Sequence, residues 1–309
     1  MLKIIRAGLQ TTVQDQGRHG FRGQGVSLGG ALDAPALYAA NILVGNKGTD
    51  AGLEITLGEC TVEFARDGWM ALTGAGCDAY LDKQRIWTGW NYPVRAGQRL
   101  MLHRPKRGMR SYLAVSGGID VPEVLGSRST DLTGGFGGLD GRKLNDGDSL
   151  PLGDVRFVPK KSQGIKQLLF NNYIRVLPGP EFQEFSPQEQ DFFWRTPWHL
   201  SPQSNRMGYR LTGHSLKRES SREMFAHGLL PGVIQVPHGG QPIVLMADAQ
   251  TTGGYPRIAC VIEADLYHLA QIRLGEPIHF IRCTLAQAQQ AYKEQRIYLR
   301  QLERGIQGD

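Results

Sequence analysis

Cysteine is scarce in this chain. The four residues Cys60, Cys77, Cys260 and Cys283 lie far apart, and none stands in C-x-x-C spacing. That pattern argues against a cysteine-based zinc site, so no metal is expected. It also offers no disulfide framework, and buried free thiols in a reducing compartment are the expectation. Long apolar runs are lacking too: nothing approaches the ~20 residues of a membrane span. The first residues, MLKIIRAGLQTTVQ, hold only a two-residue apolar core, where a signal peptide needs about 7–15. A cytoplasmic protein without membrane association is expected. The G-x-x-x-x-G-K-[ST] loop, H-E-x-x-H and G-x-S-x-G are all missing, which removes the commonest phosphate-binding loop and two hydrolase signatures. Gly134-Gly135-Phe136-Gly137-Gly138 is glycine-rich, but it does not lead from a strand into a helix as a dinucleotide fingerprint must. A Met-Lys-Met biotin attachment site is absent as well.

Glycine, by contrast, is plentiful. Forty glycines in 309 residues, with few long helical stretches, favour a β-rich chain with many tight turns, because glycine reaches the positive φ such turns require. The length suits two domains. Net charge is +6, from 35 basic and 29 acidic side chains. Part of the excess sits in His103, Arg104, Lys106, Arg107 and Arg110, and part in Lys160, Lys161 and Lys166. No nucleic-acid-binding module accompanies these clusters, so they read as a solvated loop and a linker, with no nucleic-acid partner.

From Leu2 to Val13 the chain reads as short strands. Asp33 is an N-cap with Pro35 in the first turn, and Ala36, Leu37, Ala40, Leu43 and Val44 form one apolar stripe, so a helix is predicted over 34–44. Between Leu53 and Ala114 strands of four to six residues are punctuated by Arg66-Asp67-Gly68, Thr88-Gly89 and Ala96-Gly97, the pattern of a barrel or sandwich. Residues 116–148 are dominated by loops. The segment 159–166, PKKSQGIK, is the linker candidate. Beyond it, Tyr173–Leu177 reads as a strand. Ser186-Pro187-Gln188-Glu189 is a capping box that opens a helix stopped by Pro197, and strands follow near 233–236, 243–247, 258–262 and 278–281. Thr284 caps a last helix to about Glu303, with Leu285, Ala288, Tyr292, Leu299 and Leu302 as its apolar stripe. VRAGQRL (94–100) and IRLGEPI (272–278), with NDGDSL (145–150) as a shorter third case, share a turn, a glycine and a following strand. This faint echo fits two related β-units.

Four segments concentrate polar chemistry. In Thr11-Thr12-Val13-Gln14-Asp15-Gln16-Gly17-Arg18-His19-Gly20, Arg18 either clamps a carboxylate or pairs with Asp15 to staple the turn. Ser116-Gly117-Gly118-Ile119-Asp120 and Gly126-Ser127-Arg128-Ser129-Thr130 gather hydroxyls and a cation suited to an anion, or form a surface loop. In Asn205-Arg206-Met207-Gly208-Tyr209-Arg210 the two guanidiniums either converge on one anion or each take a carboxylate elsewhere. The stretch from Gln235 to Pro242 and then from Met246 to Pro256 sets Asp248, Gln250, Thr251, Thr252 and Tyr255 after an apolar strand. Donors and acceptors of both kinds are what an amide or lactam requires. Asp248 and Asp15 are the catalytic candidates, with His238 an alternative base. Arg18, Arg128, Ser129, Thr130, Arg206, Arg210, Gln235, Thr251, Thr252 and Tyr255 are the substrate-binding candidates. Arg18, Arg128, Arg206 and Asp248 are expected to line or support one polar cleft.

TTVQDQGRHG, ALDAPALYAANILVGN, YLAVSGGIDVPEVLGSRST, NRMGYRLTG and GVIQVPHGGQPIVLMADAQTTGGYP resemble the allophanate hydrolase subunit 2, or KipA-like, family. The resemblance runs from about residue 2 to residue 281. It implies a mainly β protein of two cyclophilin-like β-barrel domains with a few short helices, over 1–158 and, with the C-terminal helix, 167–309. It implies a hydrolase role in a heteromeric complex that opens 5-oxoproline to glutamate at the expense of ATP. The partners so implied are a KipI-like protein, in direct contact, and a LamB/YcsF-like protein, with ATP as co-substrate of the complex. The alternatives the family carries are a biotin-dependent carboxyltransferase of the urea amidolyase type, and a regulatory KipA-like protein that binds a KipI-type kinase inhibitor.

Overall fold

The computed structural model describes residues 1–220 and 224–307 and is mainly β, as the sequence predicts. The chain divides into two compact units. The first holds Met1–Arg18, Gly29–Leu169 and the chain from Arg296 onward; the second holds His19–Leu28 and Phe170–Gln295.

In the first unit a six-stranded sheet runs in the order β11 (Ser149–Leu150), β1 (Leu2–Arg6), β4 (Cys60–Phe64), β9 (Arg99–Leu102), β6 (Ala79–Leu81), β7 (Gln84–Ile86). A five-stranded sheet runs β2 (Gln10–Gln14), β3 (Gly52–Thr56), β10 (Arg110–Val115), β5 (Gly68–Gly74), β8 (Trp90–Val94). In β4, Cys60, Val62 and Phe64 are buried while Thr61 and Glu63 are less so, the two-residue period of a strand with one face on a core. Ile4, Val62 and Leu100 of one sheet join Leu53, Leu72 and Leu113 of the other in a single apolar cluster.

The strands β3 and β10 are buried along their whole length, because helix α1 (Ala34–Leu43) covers the second face of their sheet. Ala40 and Leu43 of α1 pack on Ala71 and Ala114. The helix begins where the sequence places it: the Asp33 carboxylate accepts the Ala36 N–H at 3.0 Å. Beneath this cap lies a buried network. The Tyr112 hydroxyl donates to Glu54 Oε2 at 2.8 Å and accepts the Asp33 N–H at 2.8 Å. Arg110 Nε stands 3.6 Å from Glu54 Oε1, so Arg110 belongs to this interior and not to the solvated basic loop in which the sequence reading put it.

Part of the expected linker is also built in. Ile165 N–H donates to the Gly89 carbonyl at 2.8 Å, Gln163 N–H donates to Asn91 Oδ1 at 2.7 Å, and Gln167 Oε1 accepts the Gly74 N–H at 2.9 Å. The strand β8 ends its sheet with open backbone groups, and this segment satisfies one of them, the Asn91 N–H, which donates to the Gln163 carbonyl at 3.1 Å.

The second unit is a closed seven-stranded barrel: β12 (Tyr173–Pro178), β19 (Arg257–Val261), β16 (Val233–Gln235), β17 (Ile243–Leu245), β14 (Gly208–Thr212), β13 (Trp198–Leu200), β20 (Pro277–Arg282), closed by the parallel pairing of β20 with β12. A two-stranded ribbon, β15 (His227–Gly228) with β18 (Thr252–Gly253), stands apart from it. On the helix α2 (Pro187–Arg195), Phe193 stacks on Phe280 with ring centres 5.1 Å apart. The expected capping box is half formed. Ser186 Oγ accepts the Glu189 N–H at 3.2 Å, but the Glu189 carboxylate lies 3.2 Å from His214 Nε2.

The faint sequence echo has a physical basis. Gly97, Gly147 and Gly275 adopt φ of 85°, 91° and 83° and precede β9, β11 and β20, so one left-handed turn recurs before three strands.

Helix α3 (Leu266–Gln271) carries His268, whose Nδ1 accepts the Asn171 N–H at 3.2 Å. Burial lowers its pKa to about 4, against a partial counter-effect from Asp265. The folded pKa lies below the ordinary 6.5, so the unfolded chain binds the proton more readily. The neutral ring's stabilisation is therefore complete above about pH 6.5 and is lost as pH falls towards 4. In acid denaturation the wild type is expected to lose roughly 2–3 kcal/mol more than His268→Gln across that window. Parallel pH curves for the two proteins would refute this.

The last helix, α4 (Leu285–Gln307), is capped by Thr284 as expected but runs past Glu303. Its predicted stripe is realised in part, by Leu299 and the half-buried Ala288. Ala291 and Leu299 are buried, whereas Leu285 and Tyr292 are exposed. Ala288 and Ala291 pack beside Ile262 and Cys283, where small side chains let the helix sit close. The four cysteines are free thiols, and burial pushes Cys60 up to about 12 and Cys77 and Cys260 to about 11.

Candidate functional site

In the first unit the polar motifs fold, over residues 11–18 and 126–130, into one buried knot around Asp15. Its Oδ1 accepts the Ser127 and Ser129 hydroxyls, each at 2.6 Å, and the Gly17 N–H at 2.8 Å, while Oδ2 accepts the Arg128 N–H at 2.6 Å. Ser129 Oγ also accepts the Asp15 N–H at 2.9 Å. Four donors on one carboxylate are what a charged group needs when it leaves water. Thr130 Oγ1 donates to the Val13 carbonyl at 3.0 Å. The hydroxyls of Ser129 and Thr130, expected to be offered to an anion, are therefore engaged in joining these two segments.

Arg18 is fully buried. Its Nε donates to the Val124 carbonyl at 3.1 Å, Nη2 donates to the Ser129 carbonyl, and the guanidinium lies over the Phe136 ring at 4.7 Å. This explains the glycine run that is no dinucleotide fingerprint. Gly137 has φ of 70°, and a Cβ there would overlap the Ser129 carbonyl and Arg18 Nη2. Arg128 points differently: Nη1 meets Glu123 at 2.6 Å, Nη2 meets Asp120 at 2.8 Å, and Nε meets the Val121 carbonyl at 2.8 Å.

In the second unit Arg206 and Asp248 form a bidentate pair. Nε donates to Oδ2 and Nη2 to Oδ1, both at 2.9 Å, with both residues buried. The pair ties the start of β14 to the segment after β17, where the Asp248 N–H donates to the Arg206 carbonyl at 3.0 Å. Of the two readings of this motif, a carboxylate for each arginine holds for Arg206 alone; Arg210, four residues on, is exposed on the outward face of β14.

The remaining candidates gather at the β15–β18 ribbon. Gln235 is buried, and its Nε2 donates to the Tyr255 carbonyl at 3.2 Å. The Thr251 carbonyl accepts the Leu229 N–H at 2.8 Å, and Thr252 pairs with Gly228. Tyr255 is exposed and meets His238 edge-on with ring centres 6.0 Å apart. A Cβ on Gly253 would lie 2.8 Å from the Leu229 side chain and 3.3 Å from the Gln235 amide, so this glycine lets the ribbon approach Gln235. Nearby, Glu181 holds Arg257 through contacts of 2.7 and 2.8 Å, a pair the sequence reading did not single out.

A mainly β chain with a closed barrel and these glycine-dependent polar loops matches the family described as carboxyltransferase domain, subdomain A and B, over residues 24–282. The chain belongs to this family. Over 302 residues it is 66% identical to the C subunit of 5-oxoprolinase from Escherichia coli, covering 98% of this chain and 97% of that one. It is 43% identical over 304 residues to the C subunit of 5-oxoprolinase from Haemophilus influenzae, covering 98% of each. Urea amidolyase of Saccharomyces cerevisiae is 30% identical over 98% of this chain, but the match spans only 18% of that protein. Among solved structures, Kluyveromyces lactis urea amidolyase superimposes with a TM-score of 0.91 at 29% identity, over 97% of this chain and 20% of that one. Among the described residues no helix is long and apolar enough to cross a membrane.

Proposed function

We propose that this chain is the C subunit of an ATP-dependent 5-oxoprolinase. The observation that carries the proposal is the 66% identity to a protein of that name, end to end on both chains. The urea amidolyase relatives support a carboxyltransferase role less well, since their matches are weaker and confined to a small part of a longer protein.

In this reading the chain works in the cytoplasm with a KipI-like partner, which it contacts directly, and a LamB/YcsF-like partner. ATP is the co-substrate of the assembly: phosphorylation of the lactam oxygen, with release of ADP, turns a poor electrophile into one that water attacks, and the ring opens to glutamate as phosphate leaves. The role proposed for this chain is binding and orienting the lactam. Gln235, Thr251, Thr252 and Tyr255 supply amide-matching groups, while Asp15, Arg18 and Arg128 in one unit and Arg206 and Asp248 in the other hold the supporting loops.

Reconstitution with the two candidate partners tests this, with ATP-dependent release of glutamate from 5-oxoproline as the readout. The expected result is turnover by the assembly, none by this chain alone, and tight binding of this chain to the KipI-like partner. Turnover by the isolated chain, or an inactive assembly of folded proteins, refutes it.

A further inference from the structure

Among the described residues, two buried polar atoms beside the ribbon have no hydrogen-bond partner. Arg22, in a single 3-10 turn within the second unit, donates through Nη2 to the Leu229 carbonyl, while its Nη1 is buried and hydrogen-bonded to nothing. His227, two residues before Leu229, lies 3.2 Å through Nδ1 from the Phe225 carbonyl, and its Nε2 is likewise buried with no partner. A carbonyl only accepts, so Nδ1 carries the proton and Nε2 of the neutral ring presents a lone pair. One orphan is therefore a cationic donor and the other an acceptor. Folded proteins rarely leave such groups unmade, because the hydration they lose is not replaced. No carboxylate among the described residues forms an ion pair with Arg22, and burial lowers its pKa.

Both residues adjoin the ribbon that carries the lactam-matching candidates: His227 pairs with Gly253, and Leu229 N–H with the Thr251 carbonyl. We propose that Arg22 Nη1 and His227 Nε2 form a subsite for a small carboxylate that bears an N–H on the adjacent carbon. Arg22 takes the carboxylate and His227 accepts from the N–H. Building on the function proposed above, this subsite sets the orientation of 5-oxoproline, which offers both groups across one carbon. Arg22 is held at one end by the Leu229 carbonyl, so its fork is pre-aimed, and a lysine cannot serve both ends.

In the reconstituted assembly, Arg22→Lys and Arg22→Ala are expected to raise KM for 5-oxoproline about tenfold to a hundredfold, with kcat changed far less. His227→Phe should raise KM in the same sense. The second measurement needs no turnover. Phenylglyoxal modification of Arg22, followed by mass spectrometry in the wild-type assembly, should be slowed by 5-oxoproline, but not by 2-pyrrolidinone, which lacks the carboxylate. If the wild-type assembly proves inactive, the functional reading fails and the labelling decides this inference alone. Normal KM in folded Arg22→Lys, or equal labelling with and without 5-oxoproline, overturns it.

Discussion

Asp15→Ala is expected to lower stability by roughly 3–6 kcal/mol, the largest single loss in the first unit. The substitution strands two hydroxyls and two backbone N–H groups that now meet one carboxylate at 2.6–2.8 Å. Each buried donor left unmade costs about 1–3 kcal/mol, and several are stranded together. A loss of that size approaches the whole stability of many domains. Asp15→Asn should recover little, because its amide places a donor where only acceptors fit. Ser127→Ala removes one of the four donors and takes from the Ser129 N–H its acceptor at 3.0 Å, so a smaller loss of about 1–3 kcal/mol is expected. Urea denaturation with a probe in the first unit measures all three. If Asp15→Ala were as stable as Ser127→Ala, the knot would not be what holds these loops together.

Breaking the Arg206–Asp248 pair from either side should cost the second unit roughly 3–5 kcal/mol. The cause is the charge left behind in a buried place, not the loss of the attraction alone. Arg206→Met with Asp248→Leu should therefore be more stable than either Arg206→Ala or Asp248→Ala, since the double change leaves no orphan charge. Asp248→Asn in the reconstituted assembly then separates structure from chemistry. A variant that melts normally and turns over normally removes Asp248 from the candidates for acid–base work. One that melts normally yet loses turnover restores it. Arg128→Lys is the matching control in the first unit: its contacts with Asp120 and Glu123 are partly exposed, and a small stability effect, about 0–1 kcal/mol, is expected.

Local features of the chain were legible in the sequence because they depend on neighbours. The Asp33 cap, the Ser186 cap with Pro187, and the Thr284 cap act over three residues, and each was realised. Alternation along β4 and the glycine turns before β9, β11 and β20 are equally local, as are the long motifs that carry the family resemblance. What the tertiary structure alone decided was which partner each polar side chain takes. Asp15 meets Ser127 across 112 residues, and Arg206 meets Asp248 across 42. No periodicity connects such positions, so the sequence could name Arg18, Arg128 and Arg206 as polar centres without showing that carbonyls or carboxylates would claim them. Helix α4 makes the same point for apolar residues. Its sequence offers Leu285 and Tyr292 as readily as Ala291, and only the packing beside Ile262 and Cys283, which selects for close approach, buries the last. Arg22 and His227 gave no sequence signal because neither falls within the polar motifs. They became visible only when the fold buried one atom of each and provided no partner among the described residues.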